Sequence, residues 1–136
     1  MKTLLIIMIA IYTLVLSGCS TVALNLDSSV RKYIALDFLK TAKMYYPPTK
    51  TSLYVEDKSD FEHTLIELAR RDGYIIDKSG IAVKIYIDKL DNETNSYRAT
   101  YKFANQSMMS RIYVYCDTNK LCPATWTNIG NERGVK

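Results

Sequence analysis

The side chains able to do acid–base, thiol or metal chemistry are few in this sequence: one histidine, His63, three cysteines, Cys19, Cys116 and Cys122, and 14 carboxylates. A single histidine leaves too few ligands for a metal site built from His and Cys. No Gly-x-Ser-x-Gly elbow and no glycine-rich phosphate loop occurs, and nothing sets a nucleophile beside a base along the chain. Asp57, Asp60, Glu62, Asp88, Asp91 and Glu93 could meet in space as the carboxylate pair of a glycoside hydrolase. Most of them fall in turns or at a helix start, where a local backbone role already accounts for them. His63 falls opposite Phe61 and Leu65 on its helix, a place that suits solvated surface. No catalytic residue, metal or cofactor is expected, so the chain does not read as an enzyme.

The cysteines divide into one and two. Cys19 closes "LSGC" behind Lys2 and the apolar run Leu4–Leu16, the layout of a secretory signal. As a helix that run would reach about 20 Å, short of the roughly 30 Å hydrocarbon core. The junction Leu16-Ser17-Gly18-Cys19 resembles the bacterial lipobox, which implies cleavage after residue 18 and acylation of Cys19. Two or more acyl chains would hold the protein firmly on a membrane. Ser20 and Thr21 follow where an aspartate would retain the protein in the inner membrane, so the resemblance implies an outer-membrane lipoprotein facing the periplasm. Cys116 and Cys122 flank Asp117-Thr118-Asn119-Lys120-Leu121, a loop suited to joining two strands. In an oxidising compartment such a pair is expected to be a structural disulfide. A redox pair or a metal site are the alternatives, the first spaced more widely than Cys-x-x-Cys and the second short of ligands.

The elements that must carry these residues follow from hydrophobic periodicity. Removing residues 1–18 leaves 118, enough for one domain, with a tether at 19–27 and a globular part at 28–136. Lys2 leaves with the signal, so the remaining net charge is +3, mildly basic and no nucleic-acid signature. From Ser28, Val30, Ile34, Ala35, Phe38, Leu39, Ala42, Tyr45 and Tyr46 share one half of a helical wheel, and Lys32, Asp37, Lys40 and Lys43 the other. Pro47-Pro48 ends that helix. "TSLYVE", Thr51 to Glu56, reads as a strand. Ser59-Asp60-Phe61-Glu62 is a capping box opening a second helix to about Asp72, with Gly73 as its left-handed stop.

Beyond Gly80 the period becomes two. Ile81, Val83, Ile85 and Ile87 alternate with Lys84, Tyr86 and Asp88. After a turn at Asp91–Asn95, Tyr97, Ala99, Tyr101 and Phe103 alternate with Arg98, Thr100 and Lys102. Ile112 and Val114 alternate with Arg111, Tyr113 and Tyr115, and "CPATWTNI" supplies the last strand, its Pro123 tolerable at a strand start or sheet edge. The expected fold is α+β, two helices on one face of a largely antiparallel sheet in the order α-β-α-β-β-β-β-β. The other face would present Lys84, Tyr86, Arg98, Lys102, Arg111, Tyr113 and Tyr115. Interleaved cations and tyrosines suit a protein interface, a plain solvated face, or a nucleic-acid strand. The interface ranks first and nucleic acid last, because nucleic acid is rarely available in the periplasm.

Taken in order, "MYYPPTKTSLYVED", "DFEHTLIELARRDGY", "SRIYVY" and "CPATWTNI" resemble the TrbH-type conjugal transfer lipoproteins over most of the mature chain. The resemblance implies a structural subunit of a type IV secretion or conjugation core complex, anchored at the outer membrane through Cys19 and set in a ring-shaped hetero-oligomer. It also implies a small α/β domain similar to the one near secretin amino termini. Pro47, Pro48, Tyr86, Arg111, Tyr113, Tyr115 and Trp126 are then the expected interaction surface. A free-standing periplasmic binding or exclusion lipoprotein is the alternative.

Overall fold

In the computed structural model, residues 24–90 and 96–130 are described. The signal segment, Cys19 and the Asp91–Asn95 turn lie outside them. Helix α1 spans Ser28–Tyr45, strand β1 Ser52–Val55, helix α2 Asp60–Arg71 and strand β2 Ile75–Ile76. Strands β3 (Ile81–Lys89), β4 (Tyr97–Phe103), β5 (Met108–Asp117) and β6 (Lys120–Ile129) follow. This is the expected order. The sheet runs β2-β1-β3-β4-β5-β6, parallel between β1 and its two neighbours and antiparallel from β3 to β6.

Local chemistry sets the boundaries. Asp27 caps α1 by accepting from the Ser29 amide at 3.0 Å, and the Pro47-Pro48 step follows its last turn. At α2 the Ser59 hydroxyl accepts from Glu62 N at 3.4 Å, while the Glu62 carboxylate takes the Lys58 amide at 2.9 Å, one residue before the expected Ser59 partner. Gly73 adopts φ +91° after α2, as a left-handed stop requires. Gly80 is needed for a different reason: a Cβ there would lie 2.7 Å from the Leu53 carbonyl carbon, so only glycine lets β3 start so close to β1.

The core lies between the helices and one face of the sheet. Ile34, Phe38 and Leu39 of α1 and Leu65 and Ala69 of α2 are buried against Leu53, Ala99, Tyr101 and Met109. Phe38 stacks on Tyr101 with ring centroids 3.8 Å apart, and Tyr46 stacks on Phe103 at 4.6 Å. Behind Phe103 the Tyr46 hydroxyl meets Ser107 at 2.5 Å, and the Tyr74 hydroxyl donates to the Tyr46 carbonyl at 2.6 Å. Leu26, in the stretch read as tether, is already in the core at 5% exposure.

One strand departs from its expected orientation. The β4–β5 register sets Tyr97 opposite Tyr113, Ala99 opposite Arg111 and Tyr101 opposite Met109, and directly paired residues share a face. Arg111 and Tyr113 therefore point under the helices, and Tyr113 is 0% exposed. Ile112 and Val114 take the open side, half-buried. Asp37, expected on the outer side of α1, faces inward and holds the inverted pair: its carboxylate lies 3.2 Å from Arg111 Nε and accepts from the Tyr113 hydroxyl at 2.8 Å.

Candidate functional site

The open sheet face is built by alternate residues of three strands. Register places Lys84 opposite Lys102, Tyr86 opposite Thr100 and Asp88 opposite Arg98. Arg98 donates to Asp88 at 3.1 Å, and Thr100 and Ser110 hydroxyls meet at 3.1 Å. Like charges set directly opposite destabilise a sheet, yet Lys84 and Lys102 are kept so. Lys102 leans over the Tyr86 ring, its Nζ 5.2 Å from the centroid, which stabilises the ammonium. Tyr86 remains 46% exposed. Between these side chains and Met108 lies a shallow hollow of about 340 Å³. A cationic, aromatic, partly satisfied surface of this kind can receive an acidic or aromatic protein surface.

Under α1 the second cluster is structural. Asp37 and Arg111 are 15% and 20% exposed at their side chains, and the Arg111 guanidinium also lies 5.3 Å from the Trp126 ring centroid. Burial, then the neighbouring Tyr101 and Asp37, hold the Tyr113 phenol well above its usual range. Tyr101, fully buried, is raised likewise, and its hydroxyl has no hydrogen-bond partner among the described residues. The chain from Asp37 through Arg111 to Trp126 ties the last strand to the first helix.

A second hollow, about 460 Å³, lies where β1 and β2 end beside α2. His63 there is 61% exposed, with Nδ1 3.0 Å from Asp57 and Nε2 3.8 Å from Glu67. Its pKa is raised, first by the hydrogen bond to Asp57 and then by the charges of Asp57 and Glu67. Tyr54, Asp77 and Lys78 line the hollow with it, and no serine, threonine or cysteine is among the described lining residues. Among the described residues no three His, Cys, Asp or Glu side chains are grouped to hold a metal.

The expected interaction residues do not share one surface. Tyr86 lies on the open face with Lys84, Arg98 and Lys102. Arg111, Tyr113 and Trp126 lie on the helix-covered side, the last half-buried. Tyr115, 36% exposed, pairs with buried Leu121 on that same side. Pro47 and Pro48 are half-buried past the end of α1, with Pro48 beside Gly73. The residues that periodicity missed are Asp37, which looked solvated, and Met108 and Ser110, which take the places on the open face expected of Arg111 and Tyr113. The hydroxyl pair Thr100 and Ser110 is the signal that could have found the register.

A family model described as conjugal transfer protein TrbH matches residues 16–130. The chain belongs to the TrbH conjugal transfer family. No curated protein and no solved structure matches it. Membership bears out the sequence resemblance and makes this a conjugal transfer protein, of a family that is not a known enzyme family, with partners among the conjugation machinery. In this TrbH-family chain Cys116 and Cys122 are bonded across the tip of the β5–β6 hairpin, with Cα atoms 5.8 Å apart. Closing so short a loop stabilises by about 2 to 2.5 kcal/mol in the chain-entropy model. Among the described residues of this TrbH protein no helix is long and apolar enough to cross a membrane.

Proposed function

We propose that this protein is an outer-membrane lipoprotein and a structural subunit of a type IV secretion or conjugation core complex, held at the membrane by lipid on Cys19. The observation that carries this reading is the lipobox "LSGC" at residues 16–19, standing at the point where the family match begins. The domain behind it supports the reading with a candidate docking surface: the open face of Lys84, Tyr86, Arg98 and Lys102. Because that face keeps Lys84 and Lys102 paired at a cost in stability, its partner subunit is expected to present carboxylates there. A ring-shaped hetero-oligomer at the periplasmic side of the outer membrane would follow from repeating such contacts.

The test replaces the acceptor sulfur. Cys19→Ser in an otherwise complete transfer system should move the protein from the membrane to the soluble periplasmic fraction and lower conjugation frequency. Undiminished membrane attachment would refute the anchor. Membrane extraction of the wild type should recover a large assembly with other transfer proteins. Recovery of the chain alone, with transfer unaffected by its deletion, would favour a free-standing binding or exclusion lipoprotein.

A further inference from the structure

Strand β3 outruns its neighbour on one side. β1 pairs with Ile81–Val83 and ends at Val55, whereas β3 continues to Lys89 in unbroken register with β4. Ala104 N donates to Ala82 O and Leu90 N to Ser96 O, both at 2.9 Å, so the even-numbered residues of β3 bond toward β4. Bonded and non-bonded pairs alternate along an antiparallel ladder. Ile85 and Ile87 therefore turn their N–H and C=O groups to the other side, where no described residue bonds them. Beside them runs a groove of about 550 Å³ that touches four consecutive strand residues, Ile85 to Asp88. A sheet face exposes alternate residues, so a hollow that meets all four lies along the edge.

The rest of the groove's apolar lining is Leu24, Leu26 and Phe61. Its rim charges are satisfied internally: Lys58 pairs with Glu56, Glu62 accepts the Lys58 amide, and Asp88 pairs with Arg98. An occupant therefore has no charge to complement, and what is left to recognise it is apolar surface beside unpaired backbone. We propose that this edge receives an extended, uncharged segment of a partner protein. The segment pairs with the main chain of Ile85 and Ile87 in the row that β1 vacates after Val55, and turns alternate apolar side chains into the groove. In strand addition of this kind the main-chain bonds give affinity and the pocket gives specificity. Lys84 and Lys89 bound the open stretch, which discourages the indefinite pairing that a longer bare edge invites. Tyr86 and Asp88 line the groove and the hollow of the open face alike, so a subunit seated on that face is already beside the edge. The inference stands on the edge itself and does not depend on a lipid at Cys19.

The full-length chain in phosphatidylcholine vesicles tests this with a fluorescein-tagged Thr-Val-Thr-Val-Thr-amide peptide, followed by anisotropy and by amide hydrogen exchange. Exchange at Ile85 and Ile87 should be fast without peptide and slow by about tenfold with it, while Lys84 and Tyr86, already in the ladder, change little. The same peptide with every amide N-methylated keeps its side chains, loses its donors and should not bind. Ile85→Pro removes one edge donor without touching the β4 ladder. It should weaken binding about tenfold with the circular dichroism unchanged. Leu24→Asp, at a position 38% exposed, sets a charge in the groove, should do the same, and serves if the proline variant fails to fold. Ile75→Asp, exposed on β2, should leave binding as it was. Edge amides already protected without peptide would show the groove filled by this chain or its lipid. That result, no protection at millimolar peptide, equal binding of the methylated peptide, or loss of binding in Ile75→Asp alone would each overturn the proposal.

Discussion

The buried ion pair between α1 and β5 yields the sharpest energetic prediction. Asp37→Ala removes the acceptor of the Tyr113 hydroxyl and the counter-ion of Arg111, leaving a guanidinium 20% exposed with nothing opposite. Breaking a buried pair from one side costs about 3–5 kcal/mol, and a hydrogen bond to a charged acceptor contributes about 1.5–3 kcal/mol. The two losses share one carboxylate and do not add. Because both partners keep some contact with water, the lower end applies, about 3 kcal/mol. For a domain of this size that lowers Tm by on the order of 10–20 °C. Urea unfolding followed by far-ultraviolet circular dichroism is the assay, since Trp126 fluorescence reports on the cluster being changed. Asp37→Leu, Arg111→Met and Tyr113→Phe combined should recover stability to within about 1 kcal/mol of the wild type, because an apolar replacement leaves no charge or hydroxyl unpaired. A loss below about 1 kcal/mol for Asp37→Ala, or a triple variant as unstable as the single one, would refute the reasoning.

Two further outcomes follow from close approach and from charge. Gly80→Ala would place its Cβ 2.7–2.8 Å from backbone atoms of Ser52 and Leu53, which no side-chain rotation relieves, so it should cost about 2–3 kcal/mol; an unshifted urea midpoint would contradict the contact between β1 and β3. His63 has its folded pKa raised by Asp57 and Glu67, so its contribution is present below the ordinary histidine value near 6.5 and is lost as pH rises through the raised value. His63→Gln should therefore lower Tm near pH 6 and leave it unchanged near pH 9; equal effects at both would count against the ion pairs.

How far the sequence reached depends on whether periodicity was free to decide. It placed α1, α2, β3 and β4 because each has one face of aliphatic or aromatic residues and one of charges, and the two proline and glycine stops are local chemistry. It inverted β5 because "SRIYVYC" offers Ile112 and Val114 against Arg111, Tyr113 and Tyr115, and apolarity alone sends the first pair inward. The decision was made by neighbours instead. Tyr97, Ala99 and Tyr101 of β4 are fixed under α1, and pairing carries Tyr113, Arg111 and Met109 with them. A buried arginine is tolerable there only because Asp37 lies one helix away, a partner 74 positions distant that no local pattern reveals. The disulfide was legible from loop length and composition, while β2 carries too few residues to alternate.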